Sequence, residues 1–319
     1  MIPPVLQIYV ALLMDQLLGD PRWLPHPIQL IGWFATVLER FFRAVCSSSL
    51  RLAGILTVTL MVGTTAGAVI CLLQVTTHVH PALGTLCGII IMYTSFAARD
   101  LWKHSIAVYK ALNSGNLEDA RHKVGLIVGR NTTDLSEKEV ARAAVESVAE
   151  NLVDGVTAPL FYAFLFGPAG AMAYKAINTA DSMFGYKNAR YRDFGWAGAR
   201  LDDLANFIPA RITSFLIPVA AFLLGLNGRN SWRILLRDRK NHASPNSGHT
   251  EAAVAGALEV QLGGSNIYFG KVVKKPTIGN DSQQITPRHI LLTNRLMLAT
   301  TILATLILTP FSIIIMCTS

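Results

Sequence analysis

Residues 52–98 contain no Asp, Glu, Lys or Arg, and nothing else in the chain restricts its fold as strongly. A charge-free run of this length belongs either in a deeply buried core or in a membrane. It is long enough for two spans of about 20 residues each, with His78, His80 and Pro81 as the turn between them. Composition favours the membrane: 51% of residues are hydrophobic, only 15% are charged and the mean hydropathy is +0.39, well away from an ordinary soluble domain.

The predicted membrane segments are residues 3–18, 52–76, 81–98, 155–177, 207–228 and 296–316. The predicted fold class is all-α, a polytopic integral membrane protein in which about four to six segments reach the membrane, some of them re-entrant. Residues 1–319 are read as a single membrane-embedded domain. A buried helix of a soluble core is the alternative for 3–18, broken by Asp15, and for 155–177, broken by Gly167 and Pro168. The first segment lacks a basic start and carries Asp15 where a cleavage site would lie, so it reads as an anchor or a membrane-dipping helix rather than a signal peptide.

The net charge of +8 is unevenly placed. Lys and Arg crowd residues 22–51, 99–142 and 229–295, and are absent before Arg22, from the His78–Pro81 turn and after Arg295. The positive-inside rule makes the crowded segments cytoplasmic, with 99–154 and 229–295 as the cytoplasmic parts, and turns the chain ends outward. If 155–177 and 207–228 both crossed, Lys187, Arg190, Arg192 and Arg200 would lie outside. A re-entrant pair that folds the polar stretch into a cavity open to the cytoplasm removes the conflict. Cys46, Cys71, Cys87 and Cys317 share no ligand-like spacing and read as packing residues.

Against this apolar background, residues 146–211 concentrate acids and amides: Glu146, Glu150, Asn151, Asp154, Asn178, Asp181, Asp202, Asp203 and Asn206. A carboxylate beside apolar surroundings must be hydrated, paired or bound to a cation, because desolvating it alone is too costly. Ser136 and Glu139 form a capping box that starts a helix. On that helix Val140, Ala144, Val145, Val148 and Leu152 span roughly 140°, with Glu146, Glu150 and Asp154 within roughly 80° on the other side. Successive acids are about 6 Å apart along the axis, so one divalent cation is within reach of two; a solvated acidic face is the alternative. Asn178, Asp181 and Ser182 stand one helical turn apart, and Arg200, Asp203 and Asn206 repeat that turn spacing, with Asp202 four residues before Asn206. Magnesium takes one or two carboxylates plus phosphate oxygens and water. Lys175, Lys187, Arg190, Arg192, Arg200 and Arg211 supply cations suited to phosphate.

Other polar features lie outside that stretch. Pro21, Pro25 and Pro27 predict a rigid loop presenting Asp15, Asp20, Arg22 and His26, where His26 is a general base, a phosphate donor or a structural hydrogen-bonding group. An amphipathic helix is expected over 28–43, and a basic helix over 99–117 stopped by Asn113, Gly115 and Asn116. Arg130, in GLIVGRNTT, is an anion contact or part of a polar turn; the segment lacks the GK[ST] of a nucleotide loop, and no G-x-G-x-x-G occurs anywhere. The turn SPNSG at 244–248, with Ser244, Asn246 and Ser247, precedes a helix expected over 250–262 and offers an anion site at its start. Ser247 has no visible histidine and acid to activate it as a nucleophile. Residues 263–279 read as a flexible basic loop. Tyr186, Tyr191, Phe194 and Trp196 interleave with basic residues, but with spans on both sides a membrane-interface belt or a large flat ligand is expected, not nucleic acid.

DxxxGDPxxxPHP at 15–27, VGRNT at 128–132, RAAVESVAENLVDGVTAPLFYA at 142–163, KAINTADSMFGYKN at 175–188, GARLDDLANFIPAR at 198–211, SPNSG at 244–248 and GALEVQLGG at 256–264 resemble the CobD/CbiB family of cobalamin biosynthesis. The resemblance runs through most of the chain. It implies a multi-pass inner-membrane adenosylcobinamide-phosphate synthase with its active site open to the cytoplasm. Such an enzyme joins adenosylcobyric acid to (R)-1-aminopropan-2-ol phosphate, or a related amino-alcohol phosphate, with ATP as co-substrate and Mg2+. Its implied partners are these substrates, membrane lipid and other membrane enzymes of the same pathway.

On this reading Glu146, Glu150, Asp154, Asp181, Asp202 and Asp203 supply the magnesium ligands and the base, with Glu146, Glu150, Asp181 and Asp202 as the catalytic set. Arg130, Lys175, Arg200 and Arg211 balance phosphate charge. Asp20, His26, Asn151, Asn178, Asn206, Ser244, Asn246 and Ser247 position substrates. The competing expectations are a magnesium-dependent intramembrane transferase of isoprenoid or CDP-alcohol type, a non-catalytic signalling relative, and a transporter, which would carry charges on its spans.

Overall fold

The computed structural model describes the backbone of residues 2–20, 26–268 and 271–318. Its helices are α1 (Pro4–Leu18), α2 (Pro27–Val45), α3 (Leu50–Val79), α4 (Pro81–Tyr93), α5 (Ala98–Asn113), α6 (Leu117–Gly125), α7 (Glu137–Leu152), α8 (Ala158–Phe184), α9 (Trp196–Ala205), α10 (Phe207–Leu223), α11 (Gly228–Asp238), α12 (Ser247–Leu258) and α13 (Pro287–Thr318), with one hairpin of β1 (Leu262–Tyr268) and β2 (Lys271–Ile278). Among the described residues four helical stretches are long and apolar enough to cross a membrane, at Leu50–Val79, Pro81–Asn113, Glu137–Phe184 and Pro287–Ser312. The pair α9 and α10, bent by 46°, is either a fifth, broken span or a re-entrant loop. The all-α polytopic class expected from the sequence is therefore the observed one.

Two compact units divide the chain. The first holds Met1–Ala97, Ala158–Asn206 and Ile307–Ser319. Here α3 packs on α2, α4 and α8, around a core that includes Ala53, Met61, Met172, Ala180 and Phe194. Only 17% of the most apolar window of α3 is buried, and Leu56, Leu60, Ile70, Leu72 and Val75 stay exposed. A helix with no Asp, Glu, Lys or Arg beyond Arg51 and that much exposed apolar surface suits lipid. The turn after it is shorter than expected: His80 alone separates α3 from α4, and its Nδ1 accepts the Ala82 amide at 3.2 Å as an N-cap.

The second unit holds Ala98–Thr157 and Phe207–Leu306. The capping box of Ser136 and Glu139 starts α7 as expected. Val140, Ala144, Val145, Val148 and Leu152 form its buried side, but Ala141, Ala143 and Ala149 are buried too. The helix is enclosed nearly all round, so its acids do not make a solvated face; the Glu146 side chain is 14% exposed. A π-helical turn, Val153–Thr157, follows, where the Thr157 hydroxyl donates to the Leu152 carbonyl at 3.1 Å and meets the Thr213 hydroxyl at 2.6 Å. Such turns often mark functional places in a helix.

Several boundaries differ from the sequence expectation. The stretch read as a flexible basic loop over 263–279 is the β1–β2 hairpin, antiparallel, with Leu262 opposite Ile278 and Gly263 opposite Thr277. Helix α12 starts at Ser247, earlier than residue 250, and stops at Glu259, whose backbone is left-handed at φ 58. Helix α10 continues through Pro218. The rigid loop expected at Pro21 and Pro25, with Arg22, lies outside the described residues.

The break expected at Gly167 and Pro168 is present within α8: Gly167 has φ 62 and ψ −154, a region essentially closed to residues with a Cβ. Gly167→Ala is expected to destabilise the protein by about 1–3 kcal/mol, read as a lower midpoint of thermal unfolding in detergent.

Candidate active site

The acids and cations singled out by the sequence fall into two groups, one in each unit. In the second unit, the first cluster centres on Glu146. Its Oε2 pairs with Arg130 Nη2 at 2.8 Å and its Oε1 accepts the Gly263 amide at 2.8 Å, with Arg142 Nε at 3.7 Å. The Ser147 hydroxyl donates to the Ile127 carbonyl at 2.7 Å and holds the loop that carries Arg130. Arg130 is buried, its side chain 4% exposed. Glu146 is thus a clamp among α7, the 126–131 loop and β1. Glu146→Gln removes the carboxylate 2.8 Å from the buried Arg130 guanidinium and is expected to cost about 3 kcal/mol, measurable as a loss of thermal stability.

One turn further along α7, Glu150 Oε1 accepts the Ser247 hydroxyl at 3.1 Å. The Ser244 hydroxyl oxygen accepts the Asn246 and Ser247 amides at 3.2 and 3.3 Å, which shapes the turn before α12. Arg211 Nη1 donates to Asn246 Oδ1 at 3.2 Å and its guanidinium lies over the Phe207 ring at 3.4 Å. Glu150, Arg211, Ser244, Asn246 and Ser247 therefore do come together. Asn151 turns back instead, its amide donating to the Ser147 carbonyl at 2.9 Å. Asp154 sits in the π-helical turn.

The structure adds residues to this group that sequence reasoning missed. His249 is buried at 8% exposure beside the charges of Arg211 and Arg239. Gly248 is pressed against the turn that carries Arg239: a Cβ there would stand 2.6 Å from the Arg239 carbonyl oxygen and 2.8 Å from the His242 Cβ. His242 accepts the Ser244 amide at Nδ1, 3.0 Å, which places its proton on Nε2, 3.6 Å from Glu251. The available signal was two histidines flanking SPNSG, with Arg239 just upstream.

In the first unit, Asn178 and Asp181 on α8 meet Asp202 and Asn206 at the end of α9. Asp202 Oδ1 accepts Asn178 Nδ2 at 3.4 Å and Oδ2 accepts Asn206 Nδ2 at 3.0 Å. Tyr174 orients Asn206 by donating to its Oδ1 at 2.9 Å, and Tyr174 stacks on Tyr162 with ring centroids 5.3 Å apart. The charge of Asp181 reaches Asp202, and Asp203 feels Arg200 and Lys187. Lys175 is buried on the same helix, its residue 7% exposed. In this unit too, His26 caps α2, its Nδ1 accepting the Ile28 amide at 3.3 Å, while Nε2 stands 3.5 Å from Asp20.

The family profile described as CobD/Cbib protein matches residues 8–297. The chain belongs to the CobD/Cbib family. It is 55% identical over 273 residues to a cobalamin biosynthesis protein CobD of Geobacter metallireducens, covering 86% of each chain. It is 52% identical over 296 residues to one of Leptospira interrogans, covering 93% of this chain and 94% of the relative. One from Clostridium perfringens is 44% identical over 293 residues. No solved structure matches the chain.

Magnesium, implied by the family resemblance, would have to be held by the acids of this chain. Among the described residues no group of three or more His, Cys, Asp and Glu side chains is placed to hold a metal. Magnesium needs only one or two carboxylates when phosphate oxygens complete its shell. Asp202, buried, turned by two amides and carrying no cationic partner among the described residues, fits that need with Asp181 nearby.

Burial, then the charges of Arg211 and Arg239, push the His249 imidazole down from 6.5 to about 4. The unfolded chain therefore binds this proton more readily, and the contribution of His249 to stability, complete above pH 6.5, is lost as pH falls toward 4. The difference in unfolding temperature between wild type and His249→Gln is expected to shrink over that interval. A difference that stays constant would contradict it.

Proposed function

We propose that this chain, as a cobalamin biosynthesis protein, joins adenosylcobyric acid to (R)-1-aminopropan-2-ol phosphate in an ATP-dependent amide-forming reaction at the inner membrane. The single observation that carries the reading is that KAINTADSMFGYKN and GARLDDLANFIPAR, two of the stretches behind the family resemblance, meet at one place. There Asn178 and Asn206 hold Asp202 within electrostatic reach of Asp181.

A corrin carboxylate is a poor electrophile at neutral pH. Transfer of the γ-phosphoryl group of ATP to it gives an acyl phosphate and ADP. The amine then attacks the acyl carbon, the C–N bond forms, and phosphate leaves with the C–O bonding pair. Asp181 and Asp202 are the residues assigned to hold magnesium, which when bound offsets negative charge on the phosphate oxygens. Asn178 and Asn206 keep the Asp202 carboxylate turned, and Tyr174 keeps Asn206 from rotating. Glu150, held by the Ser247 hydroxyl, is assigned to accept the proton from the attacking amine, since Glu146 already has both oxygens engaged. Arg211 and Asn246 are assigned to substrate phosphate.

Asp181→Asn and Asp202→Asn are each expected to lower amide formation about a hundredfold at limiting magnesium, with partial recovery when magnesium is raised. The assay combines purified protein, adenosylcobyric acid, aminopropanol phosphate, ATP and magnesium, and follows the condensed corrinoid by mass together with released ADP. Full activity in both variants would end the assignment.

A further inference from the structure

Arg239 and His249 have no role in the reading above, yet they stand with Arg211 at the start of α12, a helix of twelve residues whose N-cap side chain makes no capping bond. His249 Nδ1 is buried and has no hydrogen-bond partner among the described residues. A buried imidazole nitrogen in that state is costly and calls for a ligand atom. Among the described residues neither Arg211 nor Arg239 has a carboxylate at ion-pair distance. The nearby acids are otherwise occupied: Glu150 accepts from the Ser247 hydroxyl and Glu251 faces His242. The place therefore holds two guanidinium charges without compensation, an orphaned imidazole nitrogen and the positive end of a helix.

We propose that Arg211, Arg239 and His249 form a receptor for a terminal phosphate group. Guanidinium forks match phosphate oxygens two at a time, and a helix start adds oriented amide dipoles. The imidazole, uncharged at neutral pH because of its burial and its cationic neighbours, supplies a directed hydrogen bond rather than a third charge. Gly248 makes the receptor possible, because any larger residue would push the Arg239 turn away from α12. Which molecule brings the phosphate rests on the proposed function: the amino-alcohol phosphomonoester and ATP each end in this chemistry.

The test measures binding to the full chain in detergent by calorimetry, with inorganic phosphate, aminopropanol phosphate and ATP as separate probes and unphosphorylated aminopropanol and adenosine as controls. The wild type is expected to bind inorganic phosphate and at least one phosphorylated probe more tightly than its control. Arg239→Gln is expected to weaken that binding about tenfold or more, with Arg239→Lys recovering part of it, and His249→Gln to weaken it severalfold. Arg239 is only half-buried, so its variants keep the test open if His249→Gln fails to fold. Loss confined to aminopropanol phosphate assigns the receptor to the amino alcohol, and loss confined to ATP assigns it to the nucleotide. Unchanged affinity for every phosphorylated probe in Arg239→Gln, or phosphate binding no tighter than the controls in wild type, overturns the receptor. Wild-type protein that binds phosphate through these residues but forms no corrinoid amide would overturn the proposed function alone.

Discussion

Charge placed beside apolar helices must be answered locally, and this constraint organises both units. In the second unit the answer at Glu146 is an arginine: Arg130, itself buried, closes on it at 2.8 Å while the Gly263 amide takes the other oxygen. The pair does more than cancel charge. Because Glu146 belongs to α7, Arg130 to the loop before it and Gly263 to the hairpin far along the chain, one carboxylate sets the positions of three segments. Removing either partner takes the closest opposite charge away from the other where little water reaches.

The second organising feature is the interruption of helices where polar chemistry sits. The π-helical turn that carries Asp154, the Gly167 break in α8 and the change from α9 to α10 at Asn206 all free backbone groups that a continuous helix would consume. At membrane depth such irregular backbone is tolerated where protein surrounds it. Thr157 shows how the accounting is closed, with its hydroxyl returning to the Leu152 carbonyl five residues back. Asn206 does the same at the end of α9, its amide on Asp202 and its backbone N–H on the Asp202 carbonyl.

Features set by local chemistry were legible in the sequence. The charge-free run of residues 52–98 declared a helical hairpin, since neither lipid nor core offers it another use. Ser136 and Glu139 announced the start of α7 because both halves of a capping box lie within one turn. The acid side of α7 was located correctly, but its solvated alternative failed because Ala143 and Ala149 bury what a helical wheel leaves open. What escaped depends on distant partners. The β1–β2 hairpin is anchored by the Gly263 amide on Glu146, a contact across 117 positions. His249 looked like any residue of a small-residue helix until Arg211 and Arg239 were brought beside it by α10 and the turn after α11. Asn151 misled in the other direction, since a helical asparagine is able to satisfy itself on the carbonyl one turn back.

The acids differ in what solvates them, and that difference separates frame from chemistry. Glu146 is neutralised by a guanidinium, so a second cation approaching it would meet Arg130 and Arg142 first. Asp202 is held by the amides of Asn178 and Asn206, which orient its oxygens and donate hydrogen bonds but carry no charge. The two amides fix the direction of the buried Asp202 carboxyl without supplying an opposite charge, and burial and the neighbouring charge of Asp181 add to the cost of ionising it uncompensated. A site built this way gains by taking up a cation, whereas an arginine-paired site gains by keeping the one it has. The same logic with signs reversed applies in the second unit, where among the described residues Arg211 and Arg239 lack the carboxylate that Arg130 has. Uncompensated charge is costly to fold around, and that cost is the physical ground on which the proposed magnesium and phosphate assignments rest.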